Sequence, residues 1–379
     1  MRYYDTIYLM QTIRKYDVLI IGAGPSGIGT AITLMEFGVK NILVVDKESI
    51  GASFLLWPKE TRLITPSFTG HQFGGLDLNA ITYATSPAYT LSTEHPSGRE
   101  YQRYLLECAK EFKVPFKKET ILSIKKESEY FECSTQDGMI HATYVVTAIG
   151  EFNFPNTEPF EGAELCRHTA TISSYDAITG DVIYIIGGYE SGTDAAIHLS
   201  KNKKHITIFD TNNPWDRRES DPSVTLSPFT LDRLREEMRA GSINLSPQEK
   251  VIRVTLDQGV YTIETNRESY TTITQPILAS GFISVPPLIK NIFNSQHGIP
   301  LISDIDESTI VPNAFLVGPK VFHSNVIFCF IYKYRQRFGI VANAIATRMG
   351  IQTSASVEFY RNKTMYLDDL SCCNDACVC

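Results

Sequence analysis

YDVLIIGAGPSGIGTAITLMEFGVKNILVVDKE, residues 16–48, carries the strongest structural signal in the chain. It opens with a continuous apolar run, Val18–Ile21, as a parallel strand covered on both faces requires. Gly22, Gly24 and Gly27 then form a G-x-G-x-x-G pattern, a helix-compatible segment follows, and a second apolar run ends on Asp46. The glycines alone are a weak signal, since a βαβ unit can carry them incidentally. Strand, glycines, helix, strand and terminal acid within about thirty residues are a strong one, and read as a dinucleotide-binding unit. In such a unit the helix N-terminal amides hold a pyrophosphate, and the acid accepts a hydrogen bond from a ribose hydroxyl. Gly22, Gly24, Pro25, Ser26, Gly27, Asp46 and Lys47 are the first candidate cofactor-binding residues.

The pattern then repeats. After the unit come short β segments with an Asp137-Gly138 turn, closing in TAIG at Gly150. A second apolar strand, DVIYIIGG, enters a turn at Gly187, SGTDAAIHLSKN is helix-like, and HITIFD ends on Asp210. More β segments follow and close in LASG at Gly281. An internal repeat of a nucleotide-binding plan carries more information than either loop alone, and implies two nucleotide sites. The second loop departs in one residue: Tyr189 stands where the middle glycine lets the backbone approach the pyrophosphate. It is read as an altered working site, with a structural relic as the alternative. Gly187, Gly188, Tyr189, Glu190, Ser191, Gly192 and Asp210 are its candidate residues.

At 379 residues, 43% hydrophobic and 20% charged, the chain has the composition of an ordinary globular protein of two domains. A net charge of −7 with a pI near 5.7 lacks the basic footprint of a nucleic-acid binder. No apolar run is long enough to span a membrane, and the N-terminus lacks the pattern of a signal peptide, so a cytoplasmic location is expected. The eight cysteines are then mostly reduced thiols. Cys108, Cys133, Cys166 and Cys329 are scattered through the body as small apolar residues, whereas Cys372, Cys373, Cys377 and Cys379 crowd into the end of the chain. Thiolates suit soft metals. The vicinal Cys372-Cys373 makes a single tetrahedral site awkward, and no metal site is expected.

These residues carry a resemblance to flavoproteins with two dinucleotide-binding domains, in particular the small flavin-containing monooxygenase-like group that includes cation-efflux-associated flavoproteins. It covers about residues 16–350 and implies an α/β fold of two Rossmann-like domains, the second inserted into the first, with β-meander segments. Residues 16–170 and 276–350 would form the FAD-binding domain and 171–275 the NADPH- or NADH-binding domain. Residues 1–15 would precede the fold, and 351–379 would be a cysteine-rich tail. GASFLLWP at Gly51 resembles the segment beside the flavin ring, with Ser53, Phe54 and Trp57 as contacts, although Trp57 reads equally well as core. HPSGREYQRYLLECAKEF resembles the family's P-x-G-x-x-Y helix start. TAIGEFNFP and LASGF resemble the domain crossovers, which adds Ala148, Gly150 and Gly281. ESTIVPNAFLVGP resembles the late FAD segment, which adds Gly318 and Pro319.

Three residues depart from that pattern. Gly318-Pro319 replaces a Gly-Asp pair, so the carboxylate expected on the FAD ribityl chain is absent, leaving HSN at His323 to supply polar contacts or FAD to be held less tightly. The monooxygenase fingerprint F-x-G-x-x-x-H is imperfect, since Phe160 and Gly162 are followed by His168 two residues late. Tyr189 is the third. The favoured expectation is an enzyme in which NAD(P)H reduces FAD and the reduced flavin oxygenates a small soft nucleophile; no catalytic acid–base pair can be assigned. Bacillithiol disulfide reductases share the flavin-domain plan, so a reductase of disulfides or low-molecular-weight thiols, using the C-terminal cysteines, is the alternative. A third reading is a thiol-rich metal-binding or sensing protein on a flavoprotein scaffold. A small-molecule substrate and no nucleic-acid or membrane partner are expected, and a homodimer is left open. Asp210 argues for NADH, while Arg217, Arg218 and the resemblance argue for NADPH.

Overall fold

A computed structural model describes residues 13–70, 75–219 and 221–371. The first unit folds as strand β1 (Ile13–Ile21), helix α1 (Pro25–Glu36) and strand β2 (Ile42–Asp46). Four consecutive residues of β1, Val18–Ile21, are buried, which accounts for the unbroken apolar run. The strand starts before the expected domain boundary: Ile13, Arg14 and Lys15 already pair with Met139–His141. Two short helices, α2 (Ala52–Leu55) and α3 (Pro87–Leu91), precede α4 (Gly98–Glu111). Ser97 and Glu100 close the N-terminus of α4 as a reciprocal capping box.

Strands β3 (Phe116–Lys118), β4 (Ile121–Lys126), β5 (Phe131–Thr135) and β6 (Gly138–Thr147) complete most of the first sheet, ordered β3-β2-β1-β6-β5-β4. The members around β1 are parallel, and β4, β5 and β6 form an antiparallel meander.

The second sheet repeats the plan. Strands β7 (Arg167–His168), β8 (Val182–Ile186), β9 (His205–Asp210) and β10 (Ile243–Pro247) lie in one all-parallel sheet, with α5 (Glu190–Lys201) between β8 and β9 and α6 (Pro228–Arg239) before β10. A separate meander of β11 (Val251–Asp257), β12 (Val260–Thr265) and β13 (Ser269–Thr272) leads to β14 (Ile277–Leu278), which sits between β8 and β7. The second sheet therefore takes in Arg167–His168 and Ile277–Leu278, a few residues beyond the 171–275 span expected for the inserted domain.

The chain then returns to the first domain through a small hairpin, β15 (Ser295–Gln296) and β16 (Ile299–Pro300), and strand β17 (Ala314–Leu316), which pairs in parallel with β6. A second hairpin, β18 (Phe322–His323) and β19 (Val326–Ile327), leads into the long helix α7 (Ile331–Arg348), followed by α8 (Ser354–Asn362). The sequence marks the segment from residue 351 as tail. Up to Ser371 it packs on the domain instead, with Tyr360 and Met365 buried in its core. The four C-terminal cysteines lie outside the described residues. No described helix is long and apolar enough to cross a membrane.

Candidate functional site

The two glycine loops have the same backbone geometry. Gly22 has φ +109° and Gly187 φ +104°, and a Cβ on either would lie 2.3 Å from a crossover carbonyl, that of Ala148 or of Ala279. A Cβ on Gly27 would lie 1.9 Å from the Gly22 carbonyl, and one on Gly192 1.9 Å from that of Gly187. These four glycines answer to close packing of helix on strand. The crossovers match as well: the Ala148 amide bonds the Ile21 carbonyl and the Ala279 amide that of Ile186, each at 2.8 Å. Gly150 and Gly281, two residues on, have φ +63° and +75°.

Middle positions differ only in the side chain. Gly24 has φ −80° and ψ −170°, Tyr189 φ −75° and ψ −169°, an extended conformation open to any residue. A Cβ on Gly24 would meet nothing within 4 Å, so the space in front of α1 is open. Neither helix receives a side-chain cap, and Pro25 fills the first position of α1. The α1 amides are thus available to a pyrophosphate, which the cleared space admits. By this measure the first loop has room for the pyrophosphate of a dinucleotide, and the second has Tyr189 at the same point.

Both terminal acids brace their loops. Asp46 accepts hydrogen bonds from the amides of Ala23 and Glu48, each at 2.9 Å. Asp210 is buried and accepts three, from Gly188 at 2.7 Å, Asn212 at 2.6 Å and Asn213 at 3.0 Å. Gly188 stands where the first loop has Ala23, and the Trp215 ring fills the missing volume, within 2.3 Å of where a Gly188 Cβ would sit. Glu190, in the first turn of α5, turns its carboxylate away from the loop to the Ser227 amide and the Thr230 hydroxyl, each at 2.5 Å. Burial pushes the Glu190 carboxyl up. Ser191 is exposed, and so is Lys47.

The segment expected beside the flavin is fixed by α4. A Cβ on Gly98 would lie 2.1 Å from the Phe54 carbonyl, so this glycine lets α2 and α4 touch. Phe54 packs between Trp57 and Tyr101 in tilted contacts, at ring distances of 4.8 and 4.9 Å. Ser53 and Trp57 are half-buried. From the other side Gly318, at φ +107°, approaches Ser26, with a would-be Cβ 2.4 Å from the Ser26 hydroxyl oxygen. Pro319 follows, and Lys320 pairs with Glu151 at 2.6 Å.

Within the HSN segment, His323 is engaged inside the protein, while Ser324 and Asn325 are exposed. His323 is buried and bonded through Nε2 to Asp306 at 2.5 Å, and Asp306 in turn holds the buried Arg337 guanidinium. His168 is also fully engaged: Nδ1 accepts the Ala170 amide and Nε2 donates to the Gly281 carbonyl at 3.1 Å. It pins a crossover, and burial lowers its pKa.

Sequence reasoning missed the residues that join the two domains. The Thr61 hydroxyl donates to Asp194 on α5 at 2.8 Å, and Arg233 on α6 bonds the same carboxylate at 2.5 Å. His95 stacks on Phe229 at the start of α6, with centroids 3.8 Å apart. On the α7 side Lys333 bonds Asp221 at 2.5 Å and Ser223 at 2.8 Å, and the Cys329 thiol lies 3.2 Å from the Ser223 hydroxyl. Burial raises the Cys329 thiol above its ordinary value. His95 and Asp194 lie in segments that the sequence marks for other reasons, but each of these pairs spans more than thirty positions of sequence, where spacing carries no signal.

Comparison with known proteins places this geometry. A family model described as pyridine nucleotide-disulphide oxidoreductase matches residues 19–318. The chain is 22% identical over 335 residues to the bacilliredoxin reductase of Bacillus subtilis, an alignment covering 87% of this chain and 97% of that protein. It is 24% identical over 196 residues to an uncharacterized CzcO-like oxidoreductase of Geobacillus kaustophilus, covering 50% of this chain and 52% of that relative. Bacillithiol disulfide reductase from Staphylococcus aureus superimposes with a TM-score of 0.72 at 21% identity, over 88% of this chain and 99% of that one. A flavin-containing monooxygenase from Stenotrophomonas maltophilia gives 0.66 at 16% identity, over 89% and 99%. At these identities the solved structures speak to the fold.

Proposed function

The chain belongs to the pyridine nucleotide-disulphide oxidoreductase family, and on that basis we propose that it reduces a small disulfide. Like its family, the protein is an oxidoreductase enzyme using FAD and a nicotinamide dinucleotide. FAD belongs at the Gly22–Gly27 loop, with Asp46, Ser53, Phe54, Trp57, Ala148, Gly150 and Gly318 around it. The nicotinamide dinucleotide belongs at the Gly187–Gly192 loop. FAD supplies the two-electron chemistry when bound; the chain binds, orients and encloses. In the net reaction NAD(P)H and a proton reduce one disulfide to two thiols, breaking one S–S bond and forming two S–H bonds.

One observation carries the choice of disulfide over oxygen: His168, the residue nearest to a monooxygenase fingerprint, spends both ring nitrogens on the backbone. The match to a bacilliredoxin reductase, over 87% of this chain and 97% of that protein, supports the same choice, since the CzcO-like match stops at about half of each chain. Oxygenation of a soft nucleophile is the second reading, favoured by the cap-like Tyr189 and the fold shared with a flavin-containing monooxygenase. Among the described cysteines, Cys108, Cys133 and Cys166 are buried, with burial pushing the Cys108 thiol up to about 11 and the other two to about 12. They are poor redox thiols. Cys329 is half-buried, with its thiol also raised by burial and engaged with Ser223. In this reading the substrate disulfide meets the flavin directly or through the C-terminal cysteines.

NADPH is the preferred donor in this reading. Both Asp210 oxygens are occupied by backbone amides, which blunts its repulsion of a 2′-phosphate, and Arg217 and Arg218 lie on the loop that follows. The test is a coupled assay with NADPH under anaerobic and aerobic conditions, counting free thiols and dioxygen consumed. Anaerobic turnover yielding two thiols per NADPH supports the reductase. Turnover that requires dioxygen, with a substrate gaining one oxygen atom, replaces it with the oxygenase.

A further inference from the structure

We propose that Tyr189 holds the second dinucleotide away from the loop amides and so weakens the hold of this loop on the pyrophosphate, in contrast to the open first loop. The inference rests on the nicotinamide site proposed above and extends it to how tightly that site grips.

Comparison of the two loops isolates one variable. Backbone angles at Gly24 and Tyr189 agree within about 5°, and their flanking glycines make the same close approaches to the same kinds of carbonyl. The Tyr189 conformation is extended, so the fold gains nothing from a glycine there and loses nothing with a tyrosine. At Gly24 the space where a Cβ would project is empty to 4 Å. That clearance lets a pyrophosphate reach the amides of α1. At Tyr189 the Cβ projects from the corresponding point toward the corresponding space. The phenol makes no capping bond to an α5 amide.

In the first turn of α1 the residues after the middle glycine are Pro25 and Ser26; in α5 they are Glu190 and Ser191. The Glu190 carboxyl is committed to Ser227 and Thr230 at the start of α6, which leaves the Tyr189 side chain as the difference between the two loops. A donor that must leave after each hydride transfer is served by weak contacts to the part of the molecule that does not react, whereas FAD must stay through every cycle.

The test is calorimetric titration of NADP⁺, which binds without reacting, into FAD-loaded wild-type protein and the variants Tyr189→Gly, Tyr189→Ala and Tyr189→Phe. Tyr189→Gly is expected to tighten binding by about tenfold, the gain of roughly one charge-assisted hydrogen bond from amide to phosphate. Tyr189→Ala should fall between it and wild type, and Tyr189→Phe should match wild type, since the spacer is the ring. FAD content and circular dichroism should not change. Weaker binding in Tyr189→Gly and Tyr189→Ala, or in Tyr189→Phe, would overturn the proposal and make the phenol a ligand. Unchanged binding in all three would overturn it as well. No binding of NADP⁺ or NAD⁺ by any of the four proteins, with no flavin reduction by NADPH or NADH, would instead remove the site on which the proposal rests.

Discussion

Gly22, Gly24 and Gly27 do different physical work, and substitution separates them. Gly24→Val adds a branched side chain where the chain itself leaves open space, so the protein should fold normally and lose FAD. Gly27→Ala places a methyl 1.9 Å from the Gly22 carbonyl, so it should destabilise the domain itself. The ratio of flavin to protein absorbance, read beside circular dichroism, checks both. A yellow Gly24→Val protein would contradict the assignment of the first loop. Glu119 provides a pH test at the same scale. Burial alone would raise its carboxyl, but hydrogen bonds from Arg14, Thr135 and Lys117 outweigh it and hold the group at about 2, against an ordinary 4.5. A depressed carboxyl stabilises the fold above pH 4.5 and loses that contribution as pH falls toward 2. Glu119→Gln should therefore lower the urea midpoint at pH 7 and flatten its fall between those limits. The places of the glycines, both terminal acids and Tyr189 in the two loops were legible in the sequence because their spacing sets the loop geometry. Thr61, Asp194, Lys333 and Asp221 were not, because they meet only once two domains have folded.

At the scale of elements, the βαβ units could be read from apolar runs and the Asp137-Gly138 hairpin from its turn residues. The end of helix α8 and the segment after it could not. YRNKTMYLDDL, residues 360–370, is polar at most positions, and its hold on the domain comes from a few residues only. The Tyr360 ring packs edge-on against Phe37 at 5.2 Å, and its hydroxyl donates to Glu36 at the end of α1. Leu367 takes a bond from Arg337 at 2.5 Å and gives one to the Gln336 carbonyl at 3.1 Å. Tyr360→Ala should cost about 3–5 kcal/mol, the usual range for deleting a fully buried aromatic side chain, measurable by urea denaturation. Helix α6 is the other element whose role emerges only in the fold. It reaches Glu190 beside the second loop and stacks Phe229 on His95 of the first domain. Phe229→Ala should leave FAD bound and slow its reduction by NADPH several-fold, since the two domains lose a stacked contact that orients them. Stopped-flow absorbance measures it, and an unchanged rate would show the stack to be dispensable.

The whole molecule joins two copies of one nucleotide-binding plan across a junction of hydrogen bonds, an ion pair and a stacked ring pair. The repeat could be read from the sequence since both copies place strand, glycines, helix and acid in the same order. Its chemical outcome could not, because oxygenases and disulfide reductases share the scaffold and differ in what approaches the flavin. His168 bears on that choice through its hydrogen bonds, which spacing alone does not reveal. Electrons should flow from the second nucleotide site to the first, and the decisive measurement mixes NADPH anaerobically with the purified holoprotein while following the flavin's visible absorbance. The protein should be yellow, the band should bleach within a turnover, and an added small disulfide should restore it without dioxygen. A band that neither NADPH nor NADH bleaches would contradict this electron path.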